Sequence, residues 1–311
     1  MNQDFLKKLT DAAGEGNVLV DEPMYKHITF RVGGKAKYFV EPENTEGVCK
    51  VIKLLTKENS IPFYIMGNGS NLLITDDGYN GVIIRLGNKL SNIVVSGNIL
   101  TVEAGAMLSR VAKLAYEKGL TGMERISGIP GTIGGAVTMN AGAYGGEIKD
   151  IIVSATVLDA DGGEILELSK DELNLSYRHS VIMEKNYIVL AAKFELKEGD
   201  KEEILNVMNE CTAQRKSKQP LEYGSAGSTF KRPEGHFAGK LIQDAGLAGY
   251  TVGGAQVSEK HCGFIINKSN ATATDVLELI KYVQKTVMET FDVELETEVC
   301  ILSDELNWKK N

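Results

Sequence analysis

Five segments of the sequence hold residue types at spacings that could do chemistry. The first, Met66-Gly67-Asn68-Gly69-Ser70-Asn71-Leu72, directly follows an apolar run. Its glycines let the main chain turn sharply and leave amides bare, and Ser70 and Asn71 add short side-chain donors. Such a concave set of N–H groups suits a pyrophosphate. The loop lacks the Lys-Ser/Thr of a P-loop and the spacing of a dinucleotide fingerprint, so a plain tight turn stands as the other reading. The second segment, Ser127 to Glu147, carries seven glycines between Gly128 and Gly146. Pro130 fixes one φ and restricts Ile129 before it. Ordering so many glycines is costly unless main chain must lie against a flat or anionic ligand, which makes this the stronger signal.

Three further segments are polar. In Gly224-Ser225-Ala226-Gly227-Ser228-Thr229-Phe230-Lys231-Arg232-Pro233, two serines sit among small residues ahead of two cations. No GxSxG elbow is present, which disfavours serine hydrolysis. A serine could donate a proton instead, or the segment could be a polar turn. In Leu175-Ser176-Tyr177-Arg178-His179-Ser180, an arginine between Tyr and His suits a carboxylate or phosphate, against the alternative of a surface loop with one salt bridge. Glu298 shares the polar face of an alternating stretch with Glu294 and Glu296, where a glutamate is normally solvated.

The chain that must position these residues has 311 residues, 33 of them glycine and 6 proline, with 43% hydrophobic and 24% charged residues. Such values fit a folded chain of about two domains and exclude collagen and intrinsic disorder. Nineteen of the 33 glycines fall in the windows 67–81, 128–146 and 224–254, so the excess maps onto the candidate loops. Lys and Arg number 34 against 42 Asp and Glu, a net charge of −8, with no basic run longer than three. Nucleic acid and anionic membrane are therefore disfavoured as partners. Attraction for a small anion must be local, from Lys218, Lys231, Arg232 and Lys240. Residues 1–10 lack the apolar core of a secretion signal, and the longest apolar run, 188–192, is too short for a bilayer, so a cytoplasmic chain is expected. Cys49, Cys211, Cys262 and Cys300 share no CxxC spacing and the 4 histidines are scattered, which points away from disulfides and metal.

Residues 36–86 read as a βαβ unit, with strands at 36–40, 61–66 and 81–86 and a helix on Val48, Val51, Ile52 and Leu55. Gly97-Asn98 marks a hairpin between 93–96 and 99–103. A helix over 107–118 stops at Gly119. Runs 151–158 and 164–168 flank a second hairpin, 187–196 is a buried strand, and 202–216 is a helix. The stretch 128–146 is a glycine-rich connection. Beyond a boundary near Pro220 come a short helix over 237–245, a strand over 263–267 and a long helix over 273–291. Its expected inner face is Val276, Leu277, Ile280, Val283, Val287 and Met288. Strict alternation predicts a strand over 293–302. The class is α+β.

In order and spacing, from Thr29-Phe30-Arg31-Val32-Gly33-Gly34 to Leu295-Glu296-Thr297-Glu298-Val299, these segments resemble the UDP-N-acetylenolpyruvoylglucosamine reductase family (UDP-N-acetylmuramate dehydrogenase, MurB) over nearly the whole chain. The resemblance implies a two-part FAD-binding module of the vanillyl-alcohol oxidase (PCMH) type plus an α+β C-terminal substrate-binding domain. The implied divisions are 1–86, 87–217 and 218–302, with a tail at 303–311. It implies a cytoplasmic flavoprotein oxidoreductase of peptidoglycan synthesis and cell wall biogenesis, with FAD as cofactor, NADPH as co-substrate and a UDP-sugar as substrate. Residue by residue, Gly67, Asn68, Gly69, Ser70, Asn71, Leu72, Gly128, Ile129, Pro130, Thr132, Gly134, Gly135 and Asn140 would hold FAD. Ser228 matches the family's proton donor, and Arg178 and Glu298 its other catalytic residues. Tyr177, Lys218, Lys231 and Arg232 would meet the substrate. Arg232 departs from the Asn of the family's Ser-x-Phe-Lys-Asn-Pro. The tyrosine-bearing insertion of the longer subgroup is missing, so the chain resembles the shorter one.

The implied chemistry sends a hydride to C3 of an enolpyruvyl ether. Arg178 would face the enolate-like charge that develops, and Ser228 would protonate C2. Glu298 is expected to be protonated or hydrogen-bonded on the carboxylate side, with a raised pKa. Two other readings are an FAD-dependent alcohol or sugar oxidase on the same fold and a non-catalytic nucleotide-sugar binder. The intact set of Ser228, Arg178 and Glu298 argues against both.

Overall fold

The computed structural model describes residues 3–58, 61–161 and 163–304. Of the expected tail, 305–311 lie outside the described residues, as does Gly162 of the second hairpin turn. The chain packs as two compact units. The first comprises Met1–Val20, Tyr38–Asn68 and Val82–Gln214, and the second Asp21–Lys37, Gly69–Gly81 and Arg215–Asn311.

In the first unit five antiparallel strands run in the order Ile165–Ser169, Ile152–Asp159, Tyr187–Glu195, Ile99–Glu103, Ile93–Ser96. The central strand, Tyr187–Glu195, is the most continuously apolar and buries Ile188, Val189, Leu190, Ala192 and Phe194. The edge strand Ile165–Ser169 alternates and buries none of its residues. Position in the sheet accounts for the difference, because only a strand covered on both faces reads as one apolar run. The helix Leu108–Glu117 buries Leu108, Val111, Ala112 and Ala115. Gly119, at φ +71°, supplies the left-handed residue that ends it.

A four-stranded sheet has the order Val18–Pro23, Lys35–Val40, Tyr79–Arg85, Phe63–Met66. The βαβ reading holds in content, with the helix Thr45–Glu58 in place. Its third strand lies between the first two and pairs in parallel with Phe63–Met66, from Phe63 opposite Val82 to Met66 opposite Arg85. Some elements of this unit lie outside the sequence expectations. The helix Gln3–Ala13 buries Phe5, Leu9 and Ala13. The glycine-rich connection contains a helix, Ile133–Thr138, and two short strands, Gly142–Ala143 and Gly146–Glu147.

The second unit is organised on the helix Ala273–Phe291. Its inner face is Ala273, Val276, Leu279, Ile280, Val283 and Val287. Leu279 replaces the expected Leu277, which is only partly buried, and Met288 is 47% exposed. A sheet of Thr251–Val252, Ala255–Val257 and Ile265–Asn267 accompanies it. The last strand starts two residues later than expected because Phe264 N donates to His261 O in a turn. The expected strand over 293–302 shrinks to Cys300–Leu302, parallel to Leu72–Ile74. Residues 293–299 keep the alternation in burial, with Leu295 and Val299 buried and Glu294 and Glu296 exposed. Only a single bridge, Phe230 to Thr297, pairs that stretch. Alternation reports which side faces apolar neighbours, not whether the main chain joins a ladder.

The helix Ala273–Phe291 opens on a reciprocal cap. Thr272 Oγ1 accepts from Asp275 N at 3.0 Å and Asp275 Oδ2 accepts from Thr272 N at 2.9 Å. Main-chain donors from Thr272 and Gly254 hold the Asp275 carboxyl below its ordinary range. A depressed folded-state pKa means stability that is present above the ordinary carboxylate range and lost as pH falls through the depressed value. Thr272→Ala should lower unfolding free energy by about 1 kcal/mol in a denaturant titration. The stability difference between the parent and Asp275→Ala should narrow on acidification.

Candidate active site

Within the first unit, Gly67 and Asn68 of the first glycine-rich loop meet the second. Asn68 Nδ2 donates to Pro130 O at 2.8 Å. A Cβ on Gly67 would sit 2.1 Å from Thr132 Oγ1, so no residue larger than glycine fits there without displacing Thr132. The amides of Gly67, Asn68, Gly69, Ser70 and Asn71 donate to no acceptor among the described residues, nor do those of Gly131 and Thr132. Ile133 N and Gly134 N are spent on Ala106 O and Ala104 O, at 2.9 and 2.8 Å. Gly134 packs against Ala104, whereas Gly135 and Gly128 are exposed. Within the first unit, the amides of Gly67, Asn68, Gly131 and Thr132 lack an acceptor among the described residues and lie in stretches free of carboxylate side chains, a donor set that fits the pyrophosphate of FAD.

Ser228 and Glu298 come together in the second unit through main-chain pairing. Glu298 N donates to Thr229 O at 2.8 Å and Lys231 N donates to Glu296 O at 2.9 Å. Thr229 is buried. Its N–H donates to Gly263 O at 2.8 Å, and its Oγ1 accepts from Ile265 N at 3.0 Å. Ser228, next to it, is half-buried, and its hydroxyl takes no hydrogen-bond partner among the described residues. Glu298 is likewise half-buried rather than solvated like Glu294 and Glu296. Asn71 Nδ2 donates to Glu298 O at 3.0 Å, which joins the first candidate loop to this one. Leu72 is buried in the adjoining strand.

The remaining expected residues have separate settings. Lys231 Nζ pairs with Glu296 Oε2 at 2.9 Å. The Arg232 guanidinium lies 4.0 Å from the centre of the Phe237 ring, and its Nε donates to His236 O at 3.3 Å. Lys218 is exposed at the end of the helix Lys201–Lys218. Tyr177 is 50% exposed, and Arg178, at φ +54°, lies 4.9 Å from the centre of its ring. Asn140 is buried, and its side chain is directed to protein groups: Glu147 Oε2, Ser176 O and Lys149 N.

Thr29 emerges as a residue with no assigned task in the sequence. Its N–H donates to Gly69 O at 3.1 Å, its O accepts from Ser225 N at 3.1 Å, and its Oγ1 donates to Ser225 O at 2.6 Å. The only signal was its place in the Thr29–Gly34 motif. Among the described residues no helix is long and apolar enough to cross a membrane, and no cluster of three or more His, Cys, Asp or Glu could hold a metal ion.

The profile of the UDP-N-acetylenolpyruvoylglucosamine reductase C-terminal domain matches residues 219–302, and that of an FAD binding domain matches 36–169. A UDP-N-acetylenolpyruvoylglucosamine reductase from Agathobacter rectalis is 54% identical over 98% of this chain and 100% of its own length. The chain belongs to the UDP-N-acetylenolpyruvoylglucosamine reductase family. A reductase of the same name from Clostridium perfringens is also 54% identical, over 97% of this chain and 99% of its own. The crystal structure of the reductase from Thermus caldophilus superposes with TM-score 0.77 at 35% identity, over 92% of this chain and 98% of that one. A Phl p 4 variant described as a glucose oxidase matches at TM-score 0.51 and 16% identity, over 64% of this chain and 45% of that one, which shows a shared fold alone. The fold is α+β, an FAD-binding module of the vanillyl-alcohol oxidase (PCMH) type with an α+β C-terminal domain. This member of the family is an FAD-dependent oxidoreductase, a flavoprotein of peptidoglycan synthesis.

Gly67→Ala should lower the flavin-to-protein absorbance ratio of the purified chain, because the new methyl must push Thr132 aside. Thr132→Ala in the same chain removes the nearest atom and should restore part of the flavin. An unchanged ratio in the single variant would contradict the assignment of this loop.

Proposed function

We propose that the chain reduces the enolpyruvyl group of UDP-N-acetylglucosamine enolpyruvate to UDP-N-acetylmuramate, with NADPH as hydride donor, in the cytoplasm. The observation that carries this reading is the pairing that sets Ser228 and Glu298 on adjacent main-chain segments, with Ser228 beside the fully bonded Thr229. A hydroxyl beside a pinned residue, with no hydrogen-bond partner among the described residues, suits a proton donor better than a structural serine. Bound FAD would supply the hydride chemistry, and the bare amides of Gly67, Asn68, Gly131 and Thr132 would hold its pyrophosphate.

The side chains then have separable tasks. Addition of hydride at C3 leaves negative charge spread from C2 into the substrate carboxylate. Arg178 faces that charge and lowers the barrier. Ser228 passes its proton to C2, and Glu298 hydrogen-bonds the carboxylate side. Lys218 binds the nucleotide phosphates, and Tyr177, Lys231 and Arg232 contribute to the substrate site. Lys231 reaches the substrate by leaving Glu296, an exposed pair of small net worth.

NADPH oxidation should depend on the enolpyruvyl UDP-sugar and consume the two in equal amounts. Oxidation that ignores the sugar while hydrogen peroxide accumulates would favour an oxidase instead. Ser228→Ala should cut sugar-dependent turnover by about 100-fold or more, the usual worth of a positioned general acid, with the flavin-to-protein ratio unchanged. Lys218→Ala should weaken binding of the UDP-sugar more than that of FAD, and equal loss of both would remove Lys218 from this role.

A further inference from the structure

The turn that carries Arg178 is held by a polar network that none of the roles above requires. Arg178 lies at φ +54°, in the left-handed region that glycine and asparagine favour. Such a residue persists only where its surroundings over-determine it. The surroundings are explicit. Ser176 N donates to His179 O at 3.2 Å and His179 N donates to Ser176 O at 3.3 Å, which closes a two-residue turn on Tyr177 and Arg178. Ser176 O also accepts from Asn140 Nδ2 at 3.0 Å. Ser180 Oγ donates to Thr138 O at 2.5 Å and fixes the far side of the turn.

Asn140 is the centre of this network. It is 1% exposed and itself left-handed, at φ +44°. Besides Ser176 O, its Nδ2 donates to Glu147 Oε2 at 2.8 Å, and its Oδ1 accepts from Lys149 N at 2.9 Å. Both amide hydrogens and one oxygen lone pair are thus committed, so the side chain has no free donor for a ligand. Glu147 is fixed in turn. Lys149 Nζ lies 2.9 Å from its Oε2, and its N–H donates to Asp150 Oδ2 at 2.8 Å. The hydrogen bond from Lys149, then that from Asn140 and the charges of Lys149 and Arg178, hold its carboxyl below the ordinary range.

We propose that Asn140 and Glu147 are positioning residues for Arg178: the Asn140 amide locks the turn's carbonyl, and the Glu147 carboxylate orients that amide and balances the guanidinium. This rests on the role given to Arg178 above. It moves Asn140 from the expected cofactor contacts to support of the arginine, and it explains why a buried asparagine occupies a glycine-rich segment.

A double-mutant cycle on the flavin-loaded enzyme tests it. Asn140→Gly removes the amide and suits the left-handed backbone. It should lower kcat by about 100-fold, the effect of a small misplacement of a reacting group, with KM for the enolpyruvyl UDP-sugar, flavin-to-protein ratio and Tm little changed. Added to Arg178→Ala, it should cost less than about 3-fold more, because neighbours that act through one group are not additive. Glu147→Gln, which keeps the size and removes the charge, should show a smaller loss that Arg178→Ala absorbs in the same way. If Asn140→Gly does not fold, Glu147→Gln carries the cycle alone. Losses that multiply in full, or no loss in either variant, overturn the positioning role while leaving Arg178 in place. An Arg178→Ala enzyme with undiminished kcat overturns the role of Arg178 and the network's purpose with it.

Discussion

One main-chain hydrogen bond, from Glu298 N to Thr229 O at 2.8 Å, is the constraint that sets Ser228 beside Glu298 in the second unit. It joins segments 69 residues apart and places Ser228 and Glu298 at neighbouring positions without using the Ser228 hydroxyl. A single such bond is worth only about 1 kcal/mol net. Its value lies in register. Thr229 has N–H, carbonyl and hydroxyl all engaged, toward Gly263, Glu298 and Ile265, so a slip of one residue would break three bonds at once. Register held this way tolerates change at the exposed Glu294 and Glu296, whose side chains the pairing does not need. Asn71 and Thr29 extend the arrangement. The first anchors Glu298 O, and the second ties Gly69 to Ser225. Asn71 and Thr29 thereby connect residues 69–71 to the segments that carry Ser228 and Glu298.

Long elements with one clear periodicity were legible in the sequence, and elements read from a single signal were not. The helix Ala273–Phe291 has the expected ends because a capping box, an apolar stripe and a left-handed stop at Asp292 agree. Its inner face differs from the expected one at Leu277 and Met288: Leu277 and Leu279 are equally apolar, and only packing chooses between them. The helix Ile133–Thr138 hid behind Gly134 and Gly135, which oppose helix by propensity. Tertiary contact overrides that weak preference, since Gly134 lies against Ala104, whose Cβ an added methyl would meet at a tight 3.0 Å. The helix Gln3–Ala13 spaces Phe5, Leu9 and Ala13 four apart between charged residues, a stripe too thin to stand out. The site followed the same rule. Glycine density located both loops that present unpaired amides, because bare main chain leaves a compositional trace. Thr29 leaves none, as a lone threonine that bonds main chain looks like any other.

Arg178 needs a different kind of support from Ser228, and conformation is the reason. Ser228 is held through its neighbour Thr229, whose main chain and hydroxyl bond Gly263, Glu298 and Ile265. A left-handed residue leaves extended geometry, and its neighbours' carbonyls turn away from any strand partner. The turn at Ser176–His179 closes on itself and then needs a donor from outside, which a buried asparagine can supply with two hydrogens set in one plane. Asparagine also tolerates the left-handed backbone that its own place demands, at φ +44°. Aspartate would lose both donors and set a second carboxylate against Glu147. Glutamine would reach too far for a turn this close. The requirement for one residue that is short, doubly donating and at ease with positive φ selects asparagine at 140 on physical grounds.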